Sequence, residues 1–432
     1  METKLERITQ LSRANPDMVF TSIGHLIDMN MLKDCHAKMD GKKAVGIDGI
    51  TKEEYDKELE KNLEDLLDRM RRKTYHPKPA RRVEIPKDNG KTRPLSIYCY
   101  EDKLVQEALR RVLEAVFEPQ FYDEMMGFRP NRGCHDALRL LGRQLGNRTS
   151  WVVDADIKGF FDNIDHEWMM KFVGARIKDP RILRLVKVML KAGVVNDMTG
   201  FEPTEQGSGQ GSVCSPILAN IYMHYVLLWW FKERVMPTLG GYAAIVNYAD
   251  DFVVCFQYKP EATRFYERLK RRMACFGLSL AEDKCRLIEF GRFAAQSREG
   301  RGEGKPETFD FLGFTHICSK SRSGKFMVRR KTSRKKFIKK CKEMHRRIRD
   351  MRFTGTGNII AKVNQVLIGY YRYYGVQGNY SQLIAFHWSV LHSLFYWLNR
   401  RSQKQSYTWE QFFQMVAEGH PVARPKTCYV NI

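Results

Sequence analysis

The stretch that most constrains the fold is AAIVNYADDFVVCF, residues 243–256, in which two adjacent carboxylates interrupt an apolar run. Its flanks are rich in β-branched and aromatic residues, so they predict two strands joined by a tight turn near Asp250 and Asp251. Buried charges are costly unless a cation or a metal ion pairs with them. The pattern therefore predicts either a metal site or, as the alternative, an Asp-rich turn whose side chains face water.

A second acidic strand favours the metal site. The segment WVVDADIKGFFD, residues 151–162, predicts a strand that runs into a loop. Residues two apart in a strand share a face, so Asp154 and Asp156 point the same way, and one of them could lie beside the hairpin. Oxygen ligands suit Mg²⁺, which proteins hold through one or two carboxylates together with substrate phosphates. Paired metal ions of this kind serve in-line phosphoryl displacement.

The charge balance points to a polyanionic partner. The chain has 73 Lys and Arg against 50 Asp and Glu, a formal net charge of +23. Half of residues 320–349 are Lys or Arg. The alternatives are a basic protein without such a partner and a solvated basic helix. Apolar residues within this run recur at helical spacing and predict a helix with an apolar seam and a basic outer face: Phe337, Cys341, Met344, Ile348 and Met351.

Other classes of protein are not indicated by the sequence. The N-terminal residues lack an apolar signal segment, and the longest apolar run, residues 217–231, is short for a membrane span and carries Asn220 and His224. The ten cysteines include no CxxC pair, so neither a zinc module nor a disulfide framework is predicted. With 432 residues and 43% hydrophobic content, we expect two or three globular domains.

Several further motifs occur in a fixed order along the chain. Residues 80–97, ARRVEIPKDNGKTRPLSI, predict a hairpin with an Asp-Asn-Gly turn. The turn GFRPNRG at 127–133 interrupts a helical region, and a Gly- and Ser-rich loop at 206–215 leads into a buried helix. The segment FDFLGFTHI, residues 309–317, predicts further strands.

Taken together, these motifs resemble the reverse transcriptase/maturase proteins encoded by bacterial group II introns. The resemblance implies an α+β right-hand polymerase with fingers, palm and thumb, an antiparallel palm sheet and a helical thumb/maturase domain. We expect an N-terminal helical extension of the fingers at 1–75, fingers and palm at 76–318, and the thumb/maturase domain at 319–400. Residues 401–432 are expected to be a basic C-terminal tail, a possible DNA-binding remnant. They contain no His/Asn cluster or Cys pairs of an endonuclease domain, so we expect none.

The resemblance also implies the catalytic residues. Asp156, Asp250 and Asp251 match the palm carboxylates that hold two Mg²⁺ ions, and we expect Asp156 and Asp250 to bridge both ions. Asp156 is chosen over Asp154 because Phe161 follows it by five residues, where the family places the aromatic that blocks a ribose 2′-OH. Asp154 is then a structural neighbour.

Binding residues for the incoming dNTP follow from the same resemblance. Arg81, Lys87 and Arg93 match fingers positions that hold the triphosphate, and Lys284 matches a lysine that can give a proton to the leaving pyrophosphate. The alternative for each is an ordinary exposed cation. Gln210 matches a contact to the nascent base pair, although the loop reads Gly-Gln-Gly-Ser at 209–212 where the family usually has Pro-Gln-Gly-Gly. Loss of that proline predicts a more flexible loop.

The basic segment is expected to lie along the backbone of the template–primer duplex, without reading bases. The residues that this implies are Arg329, Arg330, Lys331, Arg334, Lys335, Lys336, Lys339 and Lys340. Among the tyrosines at 370, 371, 373 and 374, we expect at least half in the thumb core.

The function implied is RNA-directed DNA synthesis, together with binding of the intron RNA to assist splicing and retrohoming. The expected partners are structured intron RNA, an RNA template/DNA primer duplex, target DNA and dNTPs. We expect a monomer or homodimer in the bacterial cytoplasm, on the nucleoid when DNA is bound, with no membrane association. Two alternatives stay open: a host-adapted relative in phage defence or CRISPR adaptation, and a non-catalytic RNA-binding maturase.

Overall fold

The computed structural model describes residues 2–86, 92–146, 148–196, 200–403 and 406–430. The helices are α1 (Glu2–Ala14), α2 (Met29–Lys38), α3 (Lys52–Asp56), α4 (Leu59–Arg71), α5 (Tyr100–Phe117), α6 (Cys134–Gly146), α7 (His166–Arg176), α8 (Pro180–Leu190), α9 (Ser215–Met223), α10 (Lys259–Cys275), α11 (Ala294–Gly300), α12 (Arg334–Met351), α13 (Thr356–Tyr374), α14 (Tyr380–Leu398) and α15 (Trp409–Gln414). The strands are β1 (Ala80–Pro86), β2 (Thr92–Ile97), β3 (Trp151–Asp156), β4 (Val194–Asn196), β5 (Gly200–Glu202), β6 (Ala243–Tyr248), β7 (Asp251–Phe256), β8 (Arg286–Glu289), β9 (Phe309–Phe311), β10 (Phe314–Lys320) and β11 (Phe326–Thr332). The expected α+β class is confirmed.

A four-stranded antiparallel sheet in the order β6-β7-β3-β8 carries the acidic motifs. The predicted hairpin at 243–256 is β6 and β7. Both faces of the sheet are buried: Phe252 and Val254 join one core, while Val253 and Cys255 join another. Burial on both sides explains why the strand reads as a continuous apolar run instead of alternating with polar residues.

A second sheet, in the order β2-β1-β4-β5, contains the predicted hairpin of residues 80–97. Strands β1 and β2 pair in antiparallel register, and the turn between them lies outside the described residues. The N-terminal helices share the largest core with α5 and with residues of the β6-β7-β3-β8 sheet.

The basic region is a strand followed by a helix. Strands β9, β10 and β11 form a hairpin-based sheet, and α12 begins at Arg334. The predicted apolar seam of this helix is confirmed, because Met344 and Ile348 are fully buried and its other members pack against the same core. The expected domain boundary at 318/319 falls within β10, which pairs along its whole length with β11.

Residues 406–430, which belong to the expected basic C-terminal tail, pack against the helices of the thumb. Phe412 of α15 is fully buried in the core built by α12, α13 and α14, and Val430 bridges to Val376. Burial of the apolar residues of this segment stabilises its packing against the thumb helices. Among the described residues, no helix combines the length and apolarity that crossing a membrane requires.

Candidate active site

The two acidic motifs meet at one edge of the palm sheet. Asp156, the last residue of β3, lies directly opposite Asp251, the first residue of β7. Tyr248 pairs with Asp251, so Ala249 and Asp250 form a two-residue hairpin loop. Because cross-strand partners share a face and residues two apart do so as well, Asp154, Asp156 and Asp251 all lie on one face of the sheet.

The hairpin loop is held in an unusual backbone conformation. Ala249 has φ +58°, a left-handed geometry that costs a non-glycine residue about 1 kcal/mol. The amide of the fully buried Asn247 donates to the carbonyl of Ala249 at 2.7 Å. Gly127, from the GFRPNRG turn, packs so closely that a Cβ there would lie 2.5 Å from the Ala249 nitrogen. Strain of this kind persists only where the surroundings impose it.

Burial and mutual repulsion act on the carboxylates. Burial raises the pKa of Asp251 well above its ordinary value, and the neighbouring Asp154, Asp156 and Asp250 raise it further. Burial also raises the pKa of Asp250, with Asp156 adding to the rise, and burial raises the pKa of Asp154 to about 6. The site therefore concentrates negative charge that favours a cation.

Two cations of the chain already face these carboxylates. The Lys284 ammonium bonds the carboxylate of Asp156, and a guanidinium nitrogen of Arg286 lies 3.4 Å from Asp154. The turn that carries Lys284 is fixed to the end of β3, because the amide of Ala281 donates to the carbonyl of Asp156 at 2.8 Å. Arg286 was not among the predicted site residues, because only the pairing of β8 with β3 places it opposite Asp154.

The donor set at the hairpin fits Mg²⁺ only in part. Its ligands are carboxylate oxygens, as Mg²⁺ prefers, and one or two carboxylates suffice when substrate phosphates supply the rest. Nowhere in the described ranges, however, do three His, Cys, Asp or Glu side chains converge as a ready-made metal site. The arrangement fits a metal ion that binds together with the nucleotide better than one that protein ligands alone coordinate.

The glycine loop, residues 206–215, lies against the β1–β2 hairpin of the fingers. A Cβ at Gly211, where φ is +118°, would stand 2.4 Å from the carbonyl oxygen of Ser96, so only glycine fits. The amide of Gln210 donates to Asp162 at 3.0 Å, and its oxygen accepts from Nε of Arg93. Gln210 thus links the glycine loop to both the fingers and the loop after β3. Asp162, which holds the Gln210 side chain, was not among the predicted site residues.

Phe161 and Phe128 form an edge-to-face pair with ring centroids 6.2 Å apart. Phe160, its sequence neighbour, is buried in the main core, and this anchors Phe161 in a half-buried position. Phe128 is 49% exposed, so the pair presents an aromatic surface to solvent.

The fingers cations are placed on one face of the hairpin. Arg81 pairs with Ile97, and Arg93 pairs with Ile85, so alternation along each strand puts both arginines on the same side. Arg81 donates to the carbonyl of Val45 at 3.2 Å, while its Nε is buried without a partner. Lys87, the third predicted phosphate ligand, lies outside the described residues.

Most of the basic residues predicted to contact nucleic acid are accessible on the thumb. Of the predicted residues on α12, Arg334, Lys335, Lys336 and Lys339 are exposed, while Lys340 is half-buried and pairs with Glu343 at 2.9 Å. A cavity of about 850 Å³ separates part of this face from Pro86 at the end of β1.

On strand β11 the predicted residues divide between two faces. Arg329 and Lys331 are half-buried, whereas Arg330 is only 5% exposed and donates to the carbonyl of Leu138 at 2.9 Å. Alternation along the strand turns Arg330 inward, so it is not carried into the proposed binding surface.

Comparison with known proteins gives consistent matches. Residues 85–316, more than half of the chain, match the family described as reverse transcriptase (RNA-dependent DNA polymerase). The chain is 39% identical over 222 residues to group II intron-encoded protein LtrA of Lactococcus lactis subsp. cremoris, covering 51% of this chain and 37% of that protein. It is 38% identical over 243 residues to protein YkfC of Escherichia coli (strain K12), covering 50% of this chain and 64% of that protein. Nuclear intron maturase 4, mitochondrial, of Arabidopsis thaliana is 31% identical over 121 residues, covering 28% of this chain and 15% of that protein. These matches span less than two-thirds of each relative.

Proposed function

Because this chain belongs to the reverse transcriptase (RNA-dependent DNA polymerase) family, we propose that it is an RNA-directed DNA polymerase of a group II intron that extends a primer 3′-OH with dNTPs. Family membership confirms the resemblance drawn from the motifs and the right-hand polymerase fold. The observation that carries the proposal is the direct pairing of Asp156 with Asp251, with Asp250 in the adjoining turn.

Asp156 and Asp250 would hold Mg²⁺ in this proposal, and Asp251 would contribute from its half-buried position. When bound, two such ions neutralise charge on the attacking and leaving oxygens of phosphoryl transfer. The pKa values of Asp250 and Asp251 are raised, so their ionised forms need additional positive charge nearby to be stabilised. This supports a site that binds a further cation.

The other residues position and discriminate the nucleotide. Arg81 and Arg93 share a face of the fingers hairpin and would bind the triphosphate, with Lys87 as a third ligand. The Phe161 and Phe128 pair would lie under the sugar, and Gln210 would contact the nascent base pair while tied to Arg93 and Asp162. Lys284 would move from Asp156 to the leaving pyrophosphate and donate a proton there.

The thumb would hold the template–primer duplex. The exposed cations of α12, with Arg329 and Lys331 on β11, form a basic face that suits phosphate contacts without base readout. Within this proposal the partners are intron RNA, the primer duplex and target DNA, with Mg²⁺ as cofactor and the cytoplasm or nucleoid as location.

Primer extension on an RNA template with dNTPs and Mg²⁺ tests the proposal. The wild type should extend the primer, and Asp250→Asn, which keeps the side-chain shape, should lose at least about 100-fold in rate. Asp40→Asn, a remote exposed change, is the matched control and should retain full rate. Equal rates for wild type and Asp250→Asn would overturn the assignment of the hairpin.

A second function, non-catalytic binding of intron RNA to assist splicing, is favoured by the basic face of α12, because that face does not depend on catalysis. The name of the Arabidopsis relative, an intron maturase, points the same way. Splicing assistance that survives Asp250→Asn would support both roles in one chain. If no intron RNA is bound specifically, the host-adapted alternative takes precedence.

A further inference from the structure

A groove between α7 and α8 contains a cluster of cations that the proposed catalytic function does not use. The groove has a volume of about 740 Å³. Its floor includes the apolar side chains of Met170, Leu183 and Leu190, and its cationic members are Lys171, Lys178, Lys187 and Lys191. None of its lining residues belongs to the catalytic hairpin, the fingers hairpin or the thumb.

The lysines of this groove have no acidic partner among the residues that the structure describes. Over the ranges that the structure describes, no carboxylate lies within ion-pair distance of any of the four, and Glu167 is the only acid in the lining. Lys171 has its ammonium 4.4 Å from the ring centroid of Trp168, which orients it without neutralising it. Four like charges around one groove repel each other unless an anion lies between them.

His166 connects the lining of the groove to the glycine loop. Its Nε2 donates to the carbonyl of Gly207 at 2.7 Å, and the residue is only 9% exposed. This hydrogen bond fixes one lining residue of the groove to the glycine loop, none of whose own residues lines the groove.

We propose that this groove binds the phosphodiester backbone of single-stranded RNA, as a contact separate from the primer–template cleft. Lysines act as point charges that hold phosphates without reading bases. The apolar floor suits riboses and unpaired base faces, which a single strand exposes and a duplex does not. The choice of RNA as the polyanion rests on the proposed function. The charge complementarity between the groove and a polyanion does not depend on that function.

The test measures RNA binding to the full chain while the catalytic cleft is occupied. A saturating unlabelled RNA/DNA primer–template fills the cleft, and a fluorescent uridine oligonucleotide reports the second site by anisotropy over a range of salt. The variant Lys178→Gln/Lys187→Gln/Lys191→Gln is compared with Lys42→Gln/Lys57→Gln/Lys305→Gln, which removes the same charge from exposed sites elsewhere.

The groove variant should bind at least fivefold more weakly than the control, and the slope of log K against log salt should become shallower by about 2. Primer extension should be the same for both variants, which separates this inference from the polymerase proposal. Equal affinity and slope for the two variants would overturn the inference. So would tighter competition by an acidic polypeptide than by unlabelled RNA, which would assign the groove to a protein.

Discussion

Gly127 lies against the backbone of Ala249, so close that a Cβ at residue 127 would stand 2.5 Å from the Ala249 nitrogen. These residues are 122 positions apart, yet their contact sets where the hairpin loop carries Asp250. Asn220 fixes the other side of this contact, since its amide donates to the carbonyl of Gly127 at 2.9 Å. The active-site geometry therefore depends on a residue that bears no chemistry.

Substituting Gly127→Ala should slow primer extension by about 10- to 100-fold, because the added methyl displaces the loop that positions Asp250. Single-turnover extension at saturating dNTP measures the rate, and thermal unfolding measures the accompanying loss of stability. Gly146→Ala is the matched control, since a Cβ there meets nothing within 4 Å, and it should leave the rate unchanged. An unchanged rate in Gly127→Ala would mean that the loop adjusts without cost.

Lys284 offers a test of proton donation against simple charge. Lys284→Met should lower the extension rate by about 100-fold, within the range that general acids contribute. Lys284→Arg keeps the cation but holds its proton more tightly, so it should restore the KM for dNTP without restoring kcat. Steady-state kinetics on one template separates the two constants. Full recovery of kcat by arginine would assign Lys284 a purely electrostatic role.

Substitution of Arg330 should affect the stability of the protein, whereas substitution of Lys335 should affect its binding of nucleic acid. Arg330→Met removes the buried guanidinium that donates to the carbonyl of Leu138, so we expect a loss of about 1–3 kcal/mol in stability. Lys335→Met, at an exposed position, should leave stability unchanged and make the salt dependence of duplex binding shallower by about 1. Chemical denaturation and salt-dependent binding measure the two effects. A large binding effect specific to Arg330→Met, without loss of stability, would return that residue to the nucleic-acid surface.

The sequence predicted the features that local pattern encodes. The carboxylate hairpin follows from β-prone flanks around Asp250 and Asp251, and the seam of α12 follows from helical spacing. Arg330 was misplaced because the basic run was treated as one surface, although its first part is a strand with two faces.

Long-range packing was the part that the pattern could not supply. Neither the contact of Gly127 with Ala249 nor the burial of Phe412 in the thumb core has a local signal, because each depends on elements far apart in sequence. The same holds for Arg286, whose role follows only from the pairing of β8 with β3.

His224 should make the stability of the protein depend on pH. It is buried beside Phe121 and Tyr122, and burial, together with the charges of the nearby Arg129 and Arg176, lowers its pKa to about 4. The unfolded chain binds a proton near pH 6.5 while the folded chain does not, so stability is full above that pH. It should fall between about pH 6.5 and 4, by up to about 3 kcal/mol from this residue. Urea unfolding from pH 8 to 4 measures the fall, and His224→Phe should reduce it relative to His76→Gln, an exposed control. Parallel curves for the two variants would show that His224 carries none of the pH dependence.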